Sequence, residues 1–141
     1  MVVTATPIFP QTITNKVVTI VNADTTTLKT LYAAGTNGTK VENILVTNTD
    51  TAAYTVQVYV TISATDYLIG SVNIPLSAGN LSTVNSVNLL STTGNSGPVL
   101  NLDSTGNPYL YLASGSTLKV ATTGTVTAAK TITFFAQGGD F

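Results

Sequence analysis

The stretch Ala53-Tyr-Thr-Val-Gln-Val-Tyr-Val-Thr-Ile-Ser63 decides the fold class. Tyr54, Val56, Val58, Val60 and Ile62 alternate with Thr55, Gln57, Tyr59 and Thr61. A period of two lays the first set on one face of a strand and the second, mixed set on the other. Val, Ile and Thr also branch at Cβ, which stiffens χ1 and suits a pleated, half-buried surface. A half-buried strand is the direct reading.

The same grammar extends in both directions. Upstream, residues 41–48 place Ile44 and Val46 on one face, and Thr49-Asp50-Thr51 makes the connection. Downstream, residues 67–74 place Leu68, Gly70, Val72 and Ile74 on one side, ended by Pro75 and Ser77-Ala-Gly-Asn80. Proline cannot donate to a ladder, so the strand stops there. These three runs read as a meander. Residues 16–22 and 27–33 are two earlier strands, the second closed by Gly35-Thr-Asn-Gly38, where Asn37-Gly38 suits a tight hairpin turn. Residues 109–113, 117–122 and 128–136 alternate as well, separated by Gly106-Asn-Pro108, Ser114-Gly115 and Thr123-Gly124. Ser91-Thr-Thr-Gly-Asn-Ser-Gly-Pro98 is the longest expected loop, and residues 81–90 have room for one short turn. No helical period runs long enough to define a helix. Short strands punctuated about every eight to twelve residues predict an all-β, antiparallel β-sandwich.

With 141 residues the chain suits a single domain, expected over residues 15–141. Residues 1–14 stand apart. Val2, Val3, Ile8, Phe9 and Ile13 are apolar, yet Pro7 and Pro10 interrupt any ladder. The expectation is an extended N-terminal arm that covers its own sandwich or docks on a neighbouring subunit.

Charge is scarce. Only 8% of residues are Asp, Glu, Lys or Arg, against roughly 25% in an ordinary soluble domain. Threonine is the commonest residue, hydrophobic residues make up 43%, mean hydropathy is +0.34 and net charge is −1. Disordered chains pair low hydrophobicity with high net charge, so this composition describes a folded domain. Free monomers usually keep more charge on their surface. A chain with so little suits obligate assembly.

The missing residue types exclude whole chemistries. There is no Cys for a disulfide or thiolate zinc site, and no His for general base work near neutral pH. Lys16, Lys29, Lys40, Lys119 and Lys130 are scattered and make no basic stripe, so no nucleic-acid binding is expected. Ser116-Thr-Leu-Lys119 has a serine–lysine spacing that works on a helix; on a strand the two point to opposite sides. Gly94-Asn-Ser-Gly97 and Gly35-Thr-Asn-Gly38 lack the following Lys or helix of a phosphate loop. Asp24, Glu42, Asp50, Asp66, Asp103 and Asp140 lie far apart, mostly at strand ends, without the pairing a glycosidase needs. Asp103-Ser-Thr-Gly-Asn107 reads as a turn rather than a Ca²⁺ loop, which collects several carboxylates. No enzyme, cofactor or metal is therefore expected. Residues 1–7 lack a charged n-region followed by an apolar core, so no secretory signal is expected, and no apolar run approaches the ~20 residues of a membrane span. Asn37-Gly-Thr39 and Asn80-Leu-Ser82 match the glycosylation triplet but read as turns.

Six tyrosines remain: Tyr32, Tyr54, Tyr59, Tyr67, Tyr109 and Tyr111. Their amphipathic rings suit a core, a subunit interface or a sugar platform. Tyr59 lies opposite the apolar face of its strand, and Tyr109 and Tyr111 share one face. The expected contact set is Val2, Val3, Ile8 and Phe9 on the arm with Tyr59, Tyr109 and Tyr111 on the body.

Four segments also carry a family likeness. They are Thr30-Leu-Tyr-Ala-Ala-Gly-Thr-Asn-Gly-Thr-Lys-Val-Glu-Asn-Ile-Leu-Val-Thr-Asn-Thr-Asp50, Tyr67-Leu-Ile-Gly-Ser-Val-Asn-Ile-Pro75, Val87-Asn-Leu-Leu90 and Asn107-Pro-Tyr-Leu-Tyr-Leu-Ala-Ser-Gly-Ser-Thr-Leu-Lys-Val120. In pattern and phrasing, residues 28–141 resemble small β-rich structural proteins of tailed bacteriophages. The resemblance implies a virion component made in the host cytoplasm, a capsid decoration (cement) protein with a sandwich or jelly-roll-like body. Its implied partners are copies of itself, a trimer being one arrangement, and the major capsid protein or another virion protein. A tail, collar or fibre-associated subunit and a carbohydrate-binding module are the alternative readings.

Overall fold

A computed structural model describes residues 9–91 and 101–141. Among these residues ten strands follow one another: β1 (Thr12–Val21), β2 (Lys29–Ala33), β3 (Thr39–Asn48), β4 (Tyr54–Ile62), β5 (Thr65–Ile74), β6 (Val87–Asn88), β7 (Asn101–Leu102), β8 (Pro108–Leu112), β9 (Thr117–Thr122) and β10 (Thr131–Asp140). A 3₁₀ turn, Asn22–Asp24, follows β1. The protein is all-β, built from two antiparallel sheets. The first has the order β1-β10-β3-β8-β7, with β6 also on β3; the second has the order β2-β9-β4-β5. The first long strand thus lies beside the last, and β2 lies beside β9 in the other sheet.

One core fills the space between the sheets. Ile20, Val41, Ile44, Val46, Ile132 and Phe134 come from the first sheet, and Val56, Val58, Val72, Ile74, Leu118 and Val120 from the second. The β4 alternation holds for Tyr54, Val56 and Val58, which are buried, and for Val60, which packs against the core; at the strand's end it reverses, Thr61 being buried and Ile62, expected on the apolar face, 51% exposed.

Three bulges explain where simple alternation fails. On β3 the pairs Gln137↔Asn43 and Gly138↔Val41 leave Glu42 without a partner. The extra residue lets Val41 and Ile44 both face the core, which an uninterrupted period of two forbids. On β2 the register shifts at Leu31, so Leu31 and Tyr32 are buried in succession. On β5 the pairs Val58↔Gly70 and Tyr59↔Leu68 leave Ile69 unmatched. Leu68 therefore joins Tyr59 on the outer face, away from Gly70, Val72 and Ile74 with which the alternation had grouped it.

The expected meander is corrected. β4 and β5 form a hairpin, but β3 belongs to the opposite sheet. The reason lies in the corner between β3 and β4. The Asp50 main-chain N–H donates to Asn48 Oδ1 at 2.8 Å, while Asn48 Nδ2 donates to the Ala52 and Pro75 carbonyls at 2.9 and 3.0 Å. Such local bonds offer the backbone an alternative to a ladder and steer the chain across the core. Gly38 has the positive φ expected of it (94°), but it links β2 to β3 across the two sheets rather than closing a hairpin. The two-residue hairpin turn is Ser63-Ala64, both with positive φ, which no Gly or Asn announced.

The expected arm boundary also moves. Thr12, Ile13 and Thr14 pair with Asp140, Gly139 and Gly138, so the sheet begins inside the segment assigned to the arm. Val2, Val3 and Ile8 lie outside the described residues, as does most of the expected loop after Ser91.

Gly138 supplies a direct test of the β3–β10 register. A Cβ there would lie 2.4 Å from the Lys40 carbonyl oxygen, a main-chain atom that has no room to move. Gly138→Ala is expected to destabilise the fold by about 1–3 kcal/mol in urea denaturation, the range for overpacking. At Gly124 the nearest atoms to an added Cβ are 3.9 Å away, so Gly124→Ala should be near neutral.

A candidate interaction surface on the first sheet

Cross-strand partners point to the same side of a sheet, so the register maps the outer face of the first sheet row by row. One row runs Val17, Phe135, Leu45 and Asn88. A second runs Ile13, Gly139, Lys40 and Tyr111. Between them lies a row of amides, Asn15, Gln137 and Asn43; beyond Val17 lies a row of threonines, Thr19, Thr133 and Thr47. Thr19 and Thr133 are hydrogen-bonded through their hydroxyls at 3.3 Å. Lys40 is the one ionic side chain in these four rows, and Glu42 Oε1 meets its ammonium at 2.8 Å.

The face ends in an exposed apolar edge. Ile13 is 89% and Val17 61% accessible, and β1 pairs with β10 on one side only. Natural edge strands are usually blunted by Lys, Pro or bulges. Here Lys16 stands in mid-strand with its ammonium 5.9 Å from the Tyr32 ring, and Lys29 caps one further point, its Nζ donating to the Thr19 carbonyl at 2.7 Å and to Asp24 at 3.0 Å. Phe9, 71% accessible, leads into the same edge, and the Gln11 N–H donates to the Asp140 carbonyl at 2.8 Å.

At the far end of the face stands an aromatic cluster. Tyr109 and Tyr111 meet edge to face with centroids 5.0 Å apart, and Phe141 lies 6.0 Å from Tyr111. The Lys40 ammonium sits 4.7 Å from the Tyr109 ring centroid. Desolvation, with the neighbouring Tyr111, pushes the Tyr109 phenol above its ordinary range. Tyr59 is elsewhere: it faces outward from the second sheet, its hydroxyl bonded to Gln57 at 3.0 Å. Of the expected contact tyrosines, the fold brings Tyr109 and Tyr111 together and leaves Tyr59 on the opposite face.

The remaining polar motifs are tied into local structure. Lys119 pairs with Asp66 at 2.9 Å, and Ser116 is buried in the turn before β9. Asp103 Oδ1 accepts from the main-chain N–H groups of Asn107 and Thr105 and from the Thr105 hydroxyl, each at 2.8 Å. These bonds, that from Asn107 foremost, hold its carboxyl at about 2. Among the described residues no three metal-ligating side chains come together, and no helix is long and apolar enough to cross a membrane. No protein-family model, curated protein or solved structure matches the chain.

Sequence reasoning missed Ile13, Val17, Phe135 and Phe141 as surface groups. An alternation in residues 12–21 was there to be read, but which face meets the core depends on strand pairing.

Proposed function

We propose that this chain is a non-catalytic structural subunit of a tailed-bacteriophage virion, a decoration (cement) protein that binds the head shell. The observation that carries this reading is the charge-poor outer face of the first sheet, ending in the exposed Ile13 and Val17 on an edge strand. A free monomer has little use for such an edge, whereas an assembling subunit does. The family resemblance of residues 28–141 points the same way.

We read the body as jelly-roll-like, because its eight longest strands divide as β1-β10-β3-β8 and β2-β9-β4-β5. Jelly rolls recur in viral capsid domains. The N-terminal arm belongs to this reading on sequence grounds, the apolar Val2, Val3, Ile8 and Phe9 beside Pro7 and Pro10. The partners are copies of the chain and the major capsid protein. Three of the five lysines are already paired with carboxylates, which leaves little to bind nucleic acid.

The test is co-sedimentation with shells that lack this protein. Salt shortens the Debye length from about 10 Å at 0.1 M to about 3 Å at 1 M, so an electrostatic contact would let go over that range. Occupancy is expected to be stoichiometric with the shell lattice and unchanged up to 1 M NaCl. Failure to bind shells, or release between 0.1 and 1 M, overturns the reading.

A further inference from the structure

The aromatic end of the outer face is concave, and apolar assembly does not account for its make-up. A depression of about 440 Å³ is lined by Gln11, Asn37, Tyr111 and Phe141. That volume falls within the range of about 300–1,000 Å³ typical of small-molecule sites. On the other side of the Tyr109–Tyr111 pair lies a smaller depression of about 200 Å³, lined by Lys40, Glu42, Asp103, Asn107, Pro108 and Tyr109.

The larger depression is built rather than incidental. Its walls come from the residue before β1, the β2–β3 turn, β8 and the end of β10. Main-chain bonds fix three of them: Gln11 N–H to the Asp140 carbonyl at 2.8 Å, Phe141 N–H to the Gly38 carbonyl at 3.2 Å, and Gly38 N–H to the Gly35 carbonyl at 3.0 Å. The Asn37 amide adds a bond to the Phe141 main-chain oxygen at 3.2 Å. Tyr111 is set by its pairing with Lys40 in the sheet. A site held this way loses little conformational freedom on binding.

Its chemistry is specific in class. The side chains of the walls are two aromatic rings and two carboxamides, none of them ionic. An aromatic ring offers a face to apolar C–H groups, and a carboxamide offers a donor and an acceptor side by side. Asn37 uses one amide hydrogen on Phe141, which leaves its carbonyl oxygen to accept. In the smaller depression the Lys40 ammonium is neutralised by Glu42, and the Asp103 oxygens are taken up by Thr105 and Asn107. The larger depression offers no ionic side chain to a ligand, and in the smaller one the Asp103 carboxylate, which has no cationic partner, is already satisfied by neutral donors. A molecule with one C–H face and a rim of vicinal hydroxyls fits both requirements.

We propose that the Tyr111–Phe141 depression binds a neutral saccharide, stacked on the aromatic rings and hydrogen-bonded through Gln11 and Asn37, with the Tyr109 side receiving the next sugar unit. This site is separate from the apolar contact at Ile13 and Val17 and stands whether or not the chain decorates a shell.

The test is an array of neutral and acidic oligosaccharides probed with the full chain, followed by saturation-transfer NMR and titration with the best neutral hit. The chain has no Trp, so quenching of tyrosine fluorescence also reports binding. Tyr111→Ala is expected to weaken binding at least tenfold, Tyr111→Phe to retain it within about threefold, and Gln11→Ala with Asn37→Ala to weaken it at least tenfold, each with an unaltered circular dichroism spectrum. Tyr59→Ala, on the opposite sheet, should leave it unchanged. Capture of no neutral glycan at millimolar concentration, a preference for acidic glycans, affinity indifferent to Tyr111→Ala, or binding of proline-rich peptides in place of sugars overturns the proposal.

Discussion

Replacing Asp50 by alanine is expected to lower stability by about 3–5 kcal/mol, since each buried donor stripped of its acceptor costs about 1–3 kcal/mol. The carboxylate is 1% accessible and has no cationic partner among the described residues. Instead, Oδ2 accepts from the Tyr54 hydroxyl at 2.7 Å and the Thr127 N–H at 2.9 Å, and Oδ1 from the Ala52 N–H at 3.3 Å. Its own carbonyl accepts from the Ser77 N–H at 2.8 Å. One side chain thereby joins the β3–β4 corner, the start of β4 and the loop before β10. For a domain of this size the melting temperature should fall by roughly 10 °C or more. Tyr54→Phe, which removes a single donor, should cost about 1–1.5 kcal/mol. A loss below 1 kcal/mol for the alanine variant would refute this role.

The same network sets an acid limit. Burial alone would raise the Asp50 pKa, but the bonds from Tyr54, Thr127 and Ala52 outweigh it and hold the carboxyl well below the usual carboxylate range. A group whose folded pKa is depressed stabilises the fold above its unfolded value, about 3.9, and loses that contribution as pH falls toward the folded value. Urea denaturation should therefore show stability flat down to about pH 5 and declining below pH 4. Asp50→Ala should decline less steeply.

On the proposed decoration role, charge placed on the β1 edge should produce the opposite pattern, leaving the fold and losing shell binding. Ile13→Lys with Val17→Lys alters two exposed side chains that make no core contact. Exposed positions of this kind usually shift stability by no more than about 0.5 kcal/mol. At an interface each apolar group would contribute about 1.5–3 kcal/mol on burial, and each would be replaced by an ammonium that resists desolvation. Shell occupancy is expected to fall at least a hundredfold, since each 1.4 kcal/mol is a factor of ten. Truncation of residues 2–8 separates the arm from the edge, because it stops short of Pro10, which packs on Gly139. Occupancy unchanged in the double-lysine variant would refute the role proposed for the Ile13 and Val17 edge.

Much of the strand content was legible because alternation is a local signal. Residues 54–60, with their uninterrupted period of two, read correctly from side chains alone. Leu68 did not, because its orientation depends on the unmatched Ile69, and a bulge is visible only against a partner strand. The placement of β3 failed for a related reason. A five-residue connection between two alternating runs suits a hairpin, and the buried bonds of Asn48 and Asp50 that divert it reveal themselves only in three dimensions. Tyr109 and Tyr111 were legible as a pair because they lie two apart on one strand. Their companions Phe141 and Gln11 are remote in sequence and arrive through the pairing of β1, β10 and β3.

That pairing also governs the order in which the molecule comes into being. β10 lies between β1 and β3, so neither gains that neighbour until the last described strand has been made. Most close approaches within the chain join residues distant in sequence, a topology associated with folding in milliseconds to seconds rather than microseconds. A growing chain must therefore hold β1 without its ladder partner, and β3 with only β6 and β8 beside it, until β10 has been made. The threonines and amides among the outer residues of those strands, Asn15, Thr19, Asn43 and Thr47, hydrate the waiting segments with little added charge.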